Sequence, residues 1–192
     1  MQQIQFDGQQ EGERILAEIT PNIIPVIIKL LISLILIIFF EAVLFSISGI
    51  MTMIGPVIRM VGLITGVIAM GFFGWSVYAM QAKTRTYITD RRIIRFEMLS
   101  PVFTAKRSLF WSEVLKAKGY STNLFLRLVN VGSVQIEPQA AEHETIRITN
   151  VSYFDDIANY IDKILYTYKN KPDSLNAIKP FIFAARGKRG SA

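Results

Sequence analysis

A chain of 192 residues with 51% hydrophobic residues and a mean hydropathy of +0.35 is more apolar than an ordinary soluble domain. It has no cysteine, which excludes disulfide staples, thiolate catalysis and cysteine-based metal sites. The net charge of +6 (pI ≈ 9.6) resides after residue 80, where Lys and Arg outnumber Asp and Glu by nearly two to one.

Residues 1–22 are acidic rather than basic, and no small-residue cleavage pattern closes a short apolar stretch. A cleaved signal peptide is therefore not expected, and the stretch reads as a separate N-terminal segment. From Ile23 to Met80 the only ionisable residues are Lys29, Glu41 and Arg59. These 58 residues exceed the roughly 20 that one helix needs to cross a bilayer core of about 30 Å, but they suit two spans and a turn. Gly49, Gly55 and Pro56 in "SGIMTMIGP" mark the turn, giving helices at about Ile24 to Ile47 and Val57 to Met80. Pro25 fits a first helical turn, and Trp75 and Tyr78 fit an interfacial aromatic belt. The alternative is a buried hairpin in a soluble protein. Against it, "IIPVIIKLLISLILIIFF" is apolar all round rather than along one stripe.

The connecting turn lacks Lys and Arg, whereas Lys83, Arg85, Arg91, Arg92 and Arg95 follow the second span and Lys29 opens the first. By the positive-inside rule both termini are expected on the cytoplasmic side. Folding the hairpin near residue 50 brings position 41 level with about position 60, so an intramembrane Glu41–Arg59 ion pair is expected. Gly62 and Gly66 form a GxxxG that permits close helix packing.

After the spans the period becomes alternating. In "RIIRFEML", Ile94, Phe96 and Met98 share one face and Arg95 and Glu97 the other, as in a half-buried antiparallel strand. "TDRR" reads as the turn joining it to "RTYI", and further strands are expected at Ala105–Trp111, Val114–Ser121, Ser133–Glu137 and Thr145–Thr149. "SYFDDIANYIDKILYTYK" then places Phe154, Ile157, Ile161, Ile164, Leu165 and Tyr168 on one helical face, with Ser152 and Asp155 spaced as a capping box. Six or seven short strands closed by an amphipathic helix is the order of a pleckstrin-homology (PH)-like barrel.

"EGERILAEI" before the first span, "YITDRRII" opening the domain, and "LFLRLVNVGSVQIE" ahead of "IRITNV" together resemble the bacterial PH-like membrane proteins of the YdbS-like type. The resemblance covers the chain to about Lys169 and departs in the bulk of "LRLVNVGSV". It implies an α+β membrane protein: an N-terminal two-helix transmembrane hairpin, then a PH-like antiparallel β-barrel capped by a C-terminal α-helix. The expected organisation is a cytoplasmic segment 1–22, hairpin 23–80, PH-like domain 81–170 and a basic, flexible tail 171–192.

No nucleophile elbow, phosphate-cradling glycine loop or zinc-binding helix motif is present. His143, the only histidine, is expected in a polar turn, and the paired Asp155 and Asp156 suit a helix N-terminus. An enzyme is not expected, and neither is a cofactor or metal. Lys83, Arg85, Arg91, Arg92, Lys106 and Arg107 are candidate contacts to acidic lipid headgroups, although the positive-inside rule alone requires such charges. In the tail, Phe181, Ile182 and Phe183 precede Arg186, Lys188 and Arg189, a pattern open to surface contact or disorder. The reading is a cytoplasmic-face adaptor or assembly module whose partners are the lipid bilayer and either a protein segment or another copy of itself. The alternative is a small oligomeric conduit or transporter component built on the hairpin. Nucleic-acid binding is not expected, since the membrane explains the charge.

Overall fold

The computed structural model describes residues 6–51, 53–100, 102–121, 123–140, 142 and 144–184. His143, Arg186, Lys188 and Arg189 lie outside the described residues. The chain divides into two units. One comprises the residues up to Asn22, Lys83–Met98 and those from Thr104 onward; the other comprises Ile23–Ala82 with the turn Leu99–Phe103.

In the second unit, α1 (Ile24–Ile50) and α2 (Gly55–Lys83) are each long and apolar enough to cross a membrane. Both run a few residues beyond the sequence expectation at the turn, and α2 also does so at its C-terminal end. Their apolar side chains are largely exposed, as at Ile35, Phe39, Phe72 and Trp75, so neither helix is buried within this chain.

Among its described residues the first unit holds seven strands. The first, β1 (Ile15–Ile19), precedes α1 and pairs antiparallel with β2 (Arg85–Thr89), which follows α2. With β3 (Arg92–Met98) and β4 (Thr104–Phe110) these make a sheet in the order β1-β2-β3-β4. The described N-terminal residues 6–22 are therefore not a separate segment, since their strand completes the edge of this sheet. A 3-10 turn at Trp111–Glu113 leads to β5 (Val114–Tyr120), a short helix α3 (Leu124–Leu128), β6 (Val131–Pro138) and β7 (Ile146–Ser152). These strands form a second sheet, β5-β6-β7. Among the described residues no strand ladder joins the two sheets, so the expected closed barrel is instead two separate sheets around one core.

The helix α4 (Phe154–Asn170) packs on β5 and β6 through Phe154, Ile157, Ala158, Ile161, Ile164 and Leu165, essentially the face that the 3.6-residue period marks. Its start differs from expectation. Ser152 ends β7 and accepts a hydrogen bond from Asn22 Nδ2 (2.7 Å), while Tyr153 turns the corner in a left-handed conformation (φ 56°) without a side-chain cap. Polar ties add to the packing: Ala117 N donates to Asp162 Oδ1 (2.9 Å) and Lys169 Nζ to Val114 O (3.3 Å). The core meets at Trp111, which is fully buried and donates through Nε1 to Thr89 O (3.0 Å).

Two further expectations change. On β3 it is Ile93 that joins the main core, with Leu109, Leu16 and Ile19, whereas Ile94 lies in a smaller cluster with Phe6 and Tyr87, against which Phe96 packs. Both faces of this strand are covered because the N-terminal segment supplies Phe6 to the face that would otherwise meet water. The stretch from 171 is also not a flexible tail as far as it is described. A 3-10 helix at Pro172–Ala177 leads to the buried Ile178, and Phe181 N donates to Leu16 O (2.8 Å). Arg14 donates to Asn176 O and Leu175 O (2.9 and 3.0 Å), and Tyr160 to Lys179 O (2.8 Å). Burial pushes the Tyr160 phenol up to about 12.

Removing core volume from the strand ahead of the helices should weaken the whole domain. Leu16→Ala should lower stability by about 2–5 kcal/mol, read as a lower melting temperature in detergent, and no change would mean that β1 is not part of the core. A Cβ at Gly132 would lie 2.6 Å from the Phe154 ring, so Gly132→Ala should cost about 1–3 kcal/mol by overpacking.

Candidate functional site

Glu13 is a fully buried carboxylate just ahead of β1. Its carboxylate receives Arg92 in a two-point pair, Nε to Oε1 and Nη2 to Oε2, both at 2.9 Å. Gln10 N donates to Oε2 (2.9 Å), and Thr89 Oγ1 lies 2.9 Å from Oε1. Arg92 Nη2 also donates to Gly8 O (2.7 Å), and Thr89 Oγ1 accepts from Arg92 N (3.0 Å). Burial pushes the Glu13 carboxyl up, but Arg92, Gln10 N–H and Thr89 outweigh it and hold the group below the usual glutamate range. Two buried charges gain little net stability when well paired, yet the loss of one leaves the other uncompensated. The cluster is thus a latch that fixes β1 against the β2–β3 turn, and its acid is engaged on both oxygens.

This latch accounts for one of the expected lipid contacts. Arg92 faces Glu13 in the interior and is withdrawn from any membrane surface. Arg91, although exposed, donates to Gln10 Oε1 (3.0 Å) and Glu11 O (3.1 Å). Both lie at the β2–β3 turn, the opposite end of this sheet from Arg85. Arg85 pairs with Glu18, Lys106 with Asp7 (3.8 Å) and Arg107 with Glu144 (3.0 Å). Lys83 is exposed at the end of α2. The six candidates therefore do not form one patch. Sequence reasoning grouped them by proximity along the chain, whereas strand direction separates them.

Within the hairpin the expected ion pair is not formed. The Glu41 carboxylate lies over the two glycines of α2: a Cβ at Gly62 would stand 2.9 Å from Oε2 and one at Gly66 2.7 Å from Oε1. Arg59 turns elsewhere, donating through Nε to Ser48 Oγ (2.7 Å) and stacking 4.5 Å from the Phe45 ring centroid. The level of the two helices differs from the assumed one by about a turn, which moves Glu41 past Arg59 and onto the glycines. Beside it a cleft of about 250 Å³ is lined by Leu36, Ile37, Phe40, Glu41, Thr65, Gly66 and Ala69.

A second cleft, of about 300 Å³, belongs to the strand unit. Its walls are the end of β1 with Thr20–Asn22, the end of β7 with Tyr153, and Phe183. Glu18 is its one ionisable acid, and that acid is paired with Arg85. Among the described residues no group of three or more His, Asp or Glu gathers as metal ligands would. The chain matches no protein-family model and no curated protein.

Sequence reasoning missed the Glu13 latch. The signal was an acid in "EGERILAEI" followed by alternating apolar residues, but nothing local tied it to an arginine 79 positions away. Glu13→Ala should cost about 3–5 kcal/mol because it strands a buried arginine charge. The pH dependence has a definite sign. A lowered folded-state value makes the Glu13 contribution complete above the unfolded glutamate value and lost as pH falls through the folded one. The melting-temperature gap between the native chain and Glu13→Gln should therefore be constant near neutral pH and close on acidification, and a gap that widens in acid would refute the latch.

Proposed function

We propose that the protein is a non-enzymatic, membrane-anchored adaptor, a PH-like domain held at the cytoplasmic face of the bilayer by a two-helix hairpin. The observation that carries this reading is the pairing of β1 with β2. Because these strands flank the hairpin, both ends of it are bound into one sheet, and the domain is tied to the membrane twice. Such an arrangement suits a module that must stay at the surface and present an edge. Seven strands in a four-and-three arrangement with an amphipathic C-terminal helix support the PH-like reading. Lys83 and Arg85 just after α2, against a turn at 51–54 without Lys or Arg, support the cytoplasmic orientation.

The edge best suited to a partner is β4, the last strand of its sheet, with Lys106, Ser108 and Phe110 exposed along it. An extended acidic segment added to this edge would gain main-chain hydrogen bonds and meet a basic, partly apolar surface. The segment comes from another protein or from a second copy. A photo-reactive residue at Ser108 in the full-length chain, in native membranes, should crosslink to protein far more than one at Ala140. Equal yields at the two positions, or crosslinks to lipid alone, would count against the adaptor.

The seating of Glu41 against Gly62 and Gly66 favours one second reading, in which assembled hairpins conduct an ion or proton past this carboxylate. Glu41→Gln separates the two. The adaptor predicts unchanged Ser108 crosslinking and no loss of any ion flux in proteoliposomes, and the conduit predicts that a measurable flux is abolished.

A further inference from the structure

The chain leaves the strand unit after Asn22 to enter α1 and returns to it at Lys83 from α2. Strand register identifies what else lies at that end of the unit. In the four-stranded sheet Ile19 pairs with Thr86 and Arg85 with Phe96, so the turn joining β3 to β4 closes beyond Met98 at the same end. Met98 N donates to Thr84 Oγ1 (3.4 Å), one residue from the close of α2. In the three-stranded sheet Asn22 donates to Asn150 O and Ser152 Oγ at the end of β7. Ser152 pairs with Val131 and Tyr120 with Ser133, so α3, between β5 and β6, lies at that end too.

Both tips are apolar and exposed. Leu99, Val102 and Phe103 are 59%, 79% and 70% exposed, and Leu124, Phe125 and Leu128 are 79%, 58% and 78% exposed. Neither 99–103 nor 121–130 contains an acid, and the only charge in either stretch is Arg127. Backbone groups are satisfied where the apolar side chains project: Leu99 N donates to Phe103 O (2.9 Å), Phe103 N to Ser100 Oγ (3.1 Å) and Phe125 N to Asn123 Oδ1 (2.9 Å). Apolar side chains over a satisfied backbone are what a segment needs to enter the headgroup and acyl boundary. In water the same display is unfavourable, and large exposed apolar patches mark contact surfaces.

We propose that these two tips insert into the bilayer that the hairpin spans, holding the strand unit against the membrane at two points in addition to its two covalent tethers. The inference rests on the membrane reading of α1 and α2. Lipid is the occupant because both tethers leave from the end that carries the tips, which keeps the bilayer surface within reach at high effective concentration. Insertion through apolar tips also explains why the basic residues need not gather into one patch.

The chain has no cysteine, so single-cysteine variants of the full-length protein report position directly. Val102→Cys, Leu128→Cys, Ile35→Cys and Ala140→Cys would each carry an environment-sensitive fluorophore in phosphatidylcholine vesicles. Ala140 is exposed beyond the far end of β6, and Ile35 lies in α1. Labels at 102 and 128 should be quenched by spin-labelled lipid and protected from aqueous iodide, at a depth of about 5–10 Å as for interfacial helices. The label at 140 should show the reverse. Adding Val102→Asp and Phe103→Asp should raise iodide access at 128 while leaving lipid quenching at 35 unchanged. Iodide access at 102 and 128 equal to that at 140, with 35 still lipid-quenched, would overturn insertion but not the membrane reading. Protection from both quenchers would mean that a protein surface or a second copy covers the tips, which also overturns it. Loss of lipid quenching at 35 would overturn the membrane reading and this inference with it.

Discussion

The rest of the structure depends on the antiparallel pairing of β1 with β2. Ile19 and Thr86 are neighbours across a ladder, yet the chain between them contains both long apolar helices. Antiparallel partners lie about 5 Å apart, so the hairpin must begin and end almost at one point. The entropy of closing so long an insertion rises only slowly with length, and a helical hairpin returns its ends close together in any case. The constraint is instead one of order. The first strand of the sheet is synthesised before the helices and its partner after them, so Leu16 and Ile19 cannot reach the core until the whole hairpin has been made.

The Glu13 latch follows from the same constraint. An edge strand separated from its neighbour by the whole hairpin has little local information to set its register. A buried carboxylate that accepts two bonds from Arg92 at one end of β1, and the Arg14 contacts to the 172–178 stretch beside it, supply that register through polar geometry. The stretch at 172–183 then covers β1 through Phe181 and Ile178.

Charge plays two different parts in this molecule. Arg92 and Glu13 are withdrawn from water and specify an arrangement, whereas Arg85, Lys106 and Arg107 are paired at the surface, where such pairs contribute little stability. Among the described residues these basic groups are thus spread over the unit rather than focused. The concentrated features are apolar ones, at the tips of the two sheets and along the helices. In the hairpin, the glycines that make room for a carboxylate show that even a small-residue motif takes its meaning from what the facing helix offers it.

Local pattern was enough to locate the two long apolar helices, from the length of their apolar runs, and the strands from β2 to β7 and the buried face of α4, from residues two, three or four positions apart. Tertiary structure alone decided four matters. β1 belongs to the sheet, and two open sheets stand where a closed barrel was expected. Glu41 rests on Gly62 and Gly66 instead of reaching Arg59, and residues 172–184 dock rather than trail. The reason is common to all four. Each depends on a partner distant in sequence, and the level at which two elements meet is set by packing and hydrogen bonding across the fold, which no local pattern records.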